Sequence, residues 1–88
     1  MKLKYNFVVR EIGGKPVAVA VGKDNDKFNG MIKLNSTGEF IFEMLKNDTT
    51  LDEIAAAMAE KYGIDKAQAE HDAASLINTL KNAGIIAE

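Results

Sequence analysis

Residues 34–40 read Leu34-Asn35-Ser36-Thr37-Gly38-Glu39-Phe40, LNSTGEF, and the chain changes character across them. Before this stretch the apolar residues come in β-branched bursts, FVVREI at 7–12 and VAVAV at 17–21; after it they recur at helical spacing. Asn35, Ser36 and Thr37 are all helix-capping types, because a short side chain oxygen can accept from a backbone N–H of the first turn. The stretch therefore reads as a junction inside one domain, where a third strand ends at Leu34 and a first helix begins at Asn35 or Ser36. Gly38 is expected to let that helix pass close to a neighbouring backbone. We expect a single domain over 1–88, with strands over about 5–34 and helices over about 36–83. The class is α+β and winged-helix-like: a three-stranded antiparallel sheet followed by three helices. At this length one core buries about 60–65% of the unfolded surface.

Toward the N-terminus, KYNFVVREI and KPVAVAVGK flank Gly13-Gly14. Two glycines between strand-forming runs predict a two-residue hairpin turn, since positive φ costs glycine little. Alternation sets Val17, Val19 and Val21 on one face of the second strand and Ala18 and Ala20 on the other. Pro16 lacks an N–H and suits the start of a strand. Residues 22–30, GKDNDKFNG, read as a polar loop, and Met31–Leu34 as the third strand. One sheet edge is left open, a template for another chain.

Toward the C-terminus, Phe40, Ile41, Met44 and Leu45 form the apolar stripe of a first helix that Asn47 and Asp48 end. Thr50 and Glu53 make a capping box for a second, with Leu51, Ile54, Ala55, Met58 and Tyr62 on one face and Gly63 as a left-handed stop. A third helix starts at Asp65, with Gln68 three residues on, and carries Ala69, Ala73, Leu76, Ile77 and Leu80 inward until Gly84. Ile85 and Ile86 follow as a short apolar tail.

Composition removes several classes. There is no cysteine, so disulfides and thiolate metal sites are absent and a reducing cytoplasm is the expected compartment. Neither a signal-peptide core nor a run near the roughly 20 apolar residues of a membrane span is present. Net charge is −2, but it is split: residues 1–34 carry +4 and residues 35–88 carry −6. The strand half is thus suited to an acidic partner, over the roughly 8 Å that physiological salt allows.

Candidate chemistry is sparse. His71 and Ser75 stand i, i+4 with Asp72 adjacent, but a nucleophile there would lack oxyanion donors, because mid-helix N–H groups are already engaged. One histidine without cysteine cannot close a zinc site. Asp24 and Asp26 resemble the start of a calcium loop, yet Asn29 and Asn35 stand where its glycine and bidentate glutamate belong. Lys15 follows Gly13-Gly14 but precedes a strand, so a phosphate cradle is not expected. We expect no catalytic residues, no metal and no cofactor. A DNA-reading third helix would need cations, whereas residues 65–82 carry Lys66 and Lys81 against Asp65, Glu70 and Asp72, and Arg10 is the only arginine in the chain. What remains is a scaffold or a peptide-binding module that accepts an extended segment at an open strand edge beside a helix.

Residues 34–86 resemble the PqqD-like family, named for pyrroloquinoline quinone biosynthesis protein D. Leu34-Asn35, Gly38, Ile41, Leu45, Thr50, Ile54, Tyr62, Asp72, Leu76, Leu80 and Gly84-Ile85-Ile86 match the ordered spacing LN-x-x-G … I … L … T-x-x-x-I … Y … D … L … L-x-x-x-G-x-I. The resemblance implies three strands followed by three helices. It further implies a noncatalytic adaptor that binds the leader segment of a ribosomally made precursor peptide and presents it to a modifying enzyme, often a radical S-adenosylmethionine protein. In such proteins the leader adds antiparallel to the third strand, in the groove against the third helix. Carried over by position, the edge is Met31, Ile32, Lys33 and Leu34, and the helix side is Asp72, Leu76 and Thr79. The sequence departs from the family where a glycine often follows the first helix, having Lys46-Asn47-Asp48, and where Ala73 and Ala74 stand in place of larger residues, a change expected to widen the groove. The alternatives are a winged-helix nucleic-acid binder and a PqqD-like domain of structural role. No nucleic-acid or membrane partner is expected, and the 22–30 loop with an unpaired edge would allow a strand-swapped homodimer.

Overall fold

Strand passes to helix at residues 34–35 with no intervening loop. The structure, a computed structural model, describes residues 1–22 and 30–87. Its elements are β1 (Lys2–Leu3), β2 (Phe7–Ile12), β3 (Lys15–Ala20), β4 (Met31–Lys33), α1 (Ser36–Met44), α2 (Leu51–Tyr62), α3 (Lys66–Asn82) and β5 (Ile86–Ala87). The strand expected third is β4, because β1 precedes the hairpin. The Asp24/Asp26 stretch weighed for calcium and most of the 22–30 loop lie outside the described residues.

The principal sheet is antiparallel, in the order β2-β3-β4. Ile12 pairs with Lys15 across Gly13 and Gly14, whose φ values of 62° and 79° are the paired left-handed conformations of a two-residue hairpin. Val17, Ala18 and Val19 pair with Lys33, Ile32 and Met31. Pro16 forfeits one ladder bond, but its carbonyl accepts from the Leu34 N–H at 2.9 Å, so the proline costs the ladder a single donor at its last rung.

Alternation decides which face meets the helices. Phe7, Val9, Ala18, Ala20, Ile32 and Leu34 belong to the apolar core or pack against it, whereas Val8, Val17, Val19, Met31 and Lys33 alternate with them on the far face. The alanine face of β3, not the larger valine face, is therefore the core face. Small side chains there leave room for bulk supplied from elsewhere: Phe42 is fully buried and meets the edge of Phe7 at 5.3 Å between ring centroids, nearly perpendicular. The stripe expected for α1 included Ile41 and Leu45, which are fully or almost fully buried, but it passed over Phe42; Phe40 and Met44 are only partly buried at the core margin.

In α2 the Thr50 hydroxyl accepts from the Glu53 N–H at 3.1 Å, and Gly63 ends the helix at φ 65° with its N–H on the Ala59 carbonyl. Asp65 occupies the N-cap of α3 in extended conformation, but its side chain makes no capping bond, and Gln68 turns instead to Asp72 at 3.0 Å. The starts of α2 and α3 are joined by Lys66 and Asp52 at 2.5 Å. That carboxylate raises the Lys66 pKa through its hydrogen bond and charge, although so exposed a pair adds little stability.

The apolar tail is more than a tail. Ile86 and Ala87 pair antiparallel with Leu3 and Lys2 as a second, two-stranded sheet. Backbone bonds tie β1 into the helical layer: Leu3 N–H to the Leu45 carbonyl, Lys4 N–H to the Ile85 carbonyl, and Thr49 N–H to the Met1 carbonyl. The amino group of Met1 bonds Asp48 at 2.8 Å and lowers the pKa of that carboxyl. Ile85 is consequently fully buried. Thr49, tied to Met1 in this clamp, buries a hydroxyl with no hydrogen-bond partner among the described residues.

Two stability measurements check this clamp. Ile85→Ala should cost about 2–5 kcal/mol in urea denaturation, the value for a core isoleucine and not for a frayed end. Thr49→Val should hold stability or raise it by up to about 1 kcal/mol, because it replaces an unpaired buried hydroxyl with a methyl group of the same shape.

Candidate functional site, a groove between β4, α1 and α3

Leu34 and Asn35 bring three elements together. The Leu34 N–H closes the ladder on Pro16, and the next residue caps α1: Asn35 is extended, and its Oδ1 accepts from the Gly38 N–H at 2.7 Å. Gly38 is helical, and a Cβ built on it would stand 3.1 Å from Asn35 Oδ1 and 3.5 Å from Leu34 Cδ2. What approaches the glycine is thus the capping side chain and the leucine before it, not the neighbouring backbone that the sequence suggested.

This junction holds α1 against the end of β4, and α3 runs alongside. Between them lies a groove of about 470 Å³. Leu34 and Ile41, both buried, and the partly buried Leu76 supply its apolar lining; Lys33, Asn35, Thr37, His71, Asp72, Ser75 and Thr79 supply polar groups.

Of the residues expected at the site, Lys33, Leu34, Asp72, Leu76 and Thr79 line this groove. Met31 and Ile32 do not. Met31 is 59% exposed on the far face of the sheet, and Ile32 is partly buried against the core. Both belong to β4, whose outer edge pairs with no described strand. The hydrogen-bond phase of that edge follows from one bond. Because Leu34 and Pro16 are a bonded pair, alternation makes Ile32 and Ala18 the next, so the backbone N–H and C=O groups of Met31 and Lys33 turn to the open side.

The sequence reading missed the α1 wall, Thr37, Gly38 and Ile41, although Gly38 and Ile41 were among the matched positions; their i, i+3 spacing was the available signal. His71 and Ser75, weighed as a nucleophilic pair, both line the groove with no hydrogen bond between them, and the Ser75 carbonyl accepts from the Thr79 hydroxyl at 3.2 Å. Ala73 is fully buried in the core, and Ala74 lines a second pocket with Met1, Leu51 and Lys81 on the other side of α3, so neither widens this groove. Among the described residues no three His, Cys, Asp or Glu side chains cluster to hold a metal ion, and no helix is long and apolar enough to cross a membrane.

An antiparallel sheet, three helices and a groove beside a strand edge that no described strand pairs define a small α+β fold. Residues 17–86 match the family described as Coenzyme PQQ synthesis protein D (PqqD), and the chain belongs to it. Among solved structures it is similar to TbiB1 in complex with the TbiA(beta) leader peptide, with a TM-score of 0.73 and 21% sequence identity over 97% of this chain and 93% of that one. At that identity the likeness is one of fold. A comparison with curated proteins finds no match.

The capping contact predicts a thermodynamic coupling. Asn35→Ala should cost about 0.5–2 kcal/mol. Gly38→Ala alone should fail to bring the roughly 0.5–1 kcal/mol that alanine usually gains over glycine within a helix. In the Asn35→Ala background the same change should recover that gain, because the oxygen at 3.1 Å is gone. Urea denaturation of the four-member cycle measures the coupling.

Proposed function

We propose that this chain is a noncatalytic adaptor that captures the leader segment of a ribosomally synthesised precursor peptide by strand addition to β4 and presents it to a modifying enzyme, a radical S-adenosylmethionine protein being the expected class. The observation that carries the reading is the outer β4 edge beside the groove, which no described strand pairs. Met31 and Lys33 offer outward backbone groups there, and Leu34, Leu76, Asp72 and Thr79 stand where side chains of an added strand would reach. Main-chain bonds supply affinity in such recognition, and side-chain pockets supply discrimination. Family membership supports the reading, as does the leader peptide bound to the structurally similar TbiB1. The residues with which the leader would make contact are Met31 to Leu34 together with Asp72, Leu76 and Thr79.

A DNA-binding role for α3 is disfavoured by its charge, since Lys66 is held by Asp52 and the helix has no arginine. The same open edge would serve a strand-paired or strand-swapped homodimer, which would compete with the leader.

The test is an NMR titration with a synthetic leader from a precursor gene adjacent to the gene for this chain. Amides of 31–34 and 72–79 should shift saturably. Lys33→Pro should abolish binding while preserving the fold, because it removes an N–H that faces the open edge and spares the β3 ladder. Unmoved amides at high leader concentration would sink the strand-addition model, and saturable shifts elsewhere would relocate the site.

A further inference from the structure

The open β4 edge carries a cation, Lys33, on the far face of the sheet and faces a carboxylate, Asp72, across the groove on the inner face, and we infer that it selects a peptide strand with an acidic side chain opposite Lys33 and a cationic side chain at an adjacent inward position, held by Asp72. The inference rests on strand addition to β4, because a ladder dictates where each side chain of the incoming strand must point. Directly paired residues project to the same face, and their neighbours project to the other.

A peptide residue opposite Lys33 would stand on the far face of the sheet. On that face Lys33 pairs with Val17, and Val17 with Arg10, while Ile12 pairs with Lys15. The far-face residues of β2, β3 and β4 are Val8, Arg10, Ile12, Lys15, Val17, Val19, Met31 and Lys33, which carry three cations and no carboxylate. Lys33 makes no ion pair with a described residue, so its charge is available to the incoming strand.

The residues on either side of that position would point inward, toward α3. They meet Leu76, which takes an apolar side chain, and Asp72. Gln68 holds one oxygen of Asp72 at 3.0 Å with a neutral amide, which orients the carboxylate without cancelling its charge. The other oxygen accepts from no described residue. Nor does α3 bring a fixed cation to this wall: Lys66 is engaged by Asp52, and Lys81 lines the pocket on the opposite side of the helix. His71, also on the groove, is the only other titratable group that α3 places there. The ligand class is therefore an alternating strand with a neighbouring pair of opposite charges, not a uniformly acidic segment.

Fluorescein-labelled nine-residue peptides test this. One has Thr at outward positions, a central Glu, Leu at inward positions and one Lys beside the Glu; a second places the Lys on its other side; a third exchanges Glu and Lys. Anisotropy titrations at low salt should give the exchanged peptide an affinity roughly five- to tenfold weaker than the better of the first two, the size expected when two exposed ion pairs become repulsive. The double reversal Lys33→Glu with Asp72→Lys keeps the net charge and should invert the preference. Equal affinities, with amides 31–33 shifting for every peptide, would overturn the charge selection and leave strand addition standing. If no peptide moves those amides, strand addition itself fails and the selection falls with it.

Discussion

The passage from β4 into α1 leaves no slack. The Leu34 amide is committed to the sheet and the Asn35 side chain to the helix, so two consecutive residues bond in opposite directions. A strand and helix joined in this way cannot splay, and the angle between the β4 edge and α1 becomes a property of covalent geometry and two hydrogen bonds. The groove inherits its shape from that angle: Leu34 and Ile41 come from the two sides of the junction, and α3 needs only to lie alongside. Gly38 belongs to the same constraint, since any larger residue would press on the oxygen that caps its own N–H.

The remaining layers hold that junction in place. The alanines of β3 allow Phe42 and Phe7 to meet beneath the sheet, where their burial joins the sheet to the helical layer. β1 and β5 tie the N-terminal residues to the end of α1 and to the residues after α3 through backbone bonds that need no particular side chain. A domain of this size has limited apolar area to bury, and a buried Ile85 within the clamp adds core that a free tail would not provide.

Local signals were legible where one or two residues decide a conformation. Gly13-Gly14 specified the hairpin, Thr50 with Glu53 the start of α2 and Gly63 its end, while the start of α1 was narrowed to Asn35 or Ser36, of which Asn35 is the cap. The signals that misled were those decided by neighbours distant in sequence. Asp65 has the right chemistry for a cap and makes no capping bond; Phe40 and Phe42 differ only in which neighbours they meet; two-residue strands such as β1 and β5 are too short to carry a period. Of the residues that the resemblance proposed for the site, Lys33, Leu34, Asp72, Leu76 and Thr79 line the groove, while the α1 wall was not indicated, because a helix's own periodicity does not say what lies across from it.

The sequence by itself determined the hairpin, the strand that follows it, the three helices and the class of fold, since caps, glycines and alternation act over a few residues and survive without tertiary context, and its ordered residue spacing carried the resemblance to the family. Only the tertiary structure decided that the alanine face of β3 is the inner one, that the C-terminal isoleucines close a second sheet, and that Lys33 and Asp72 stand on two sides of one groove. Those outcomes depend on how volumes and charges from distant segments meet, and no local pattern encodes that meeting.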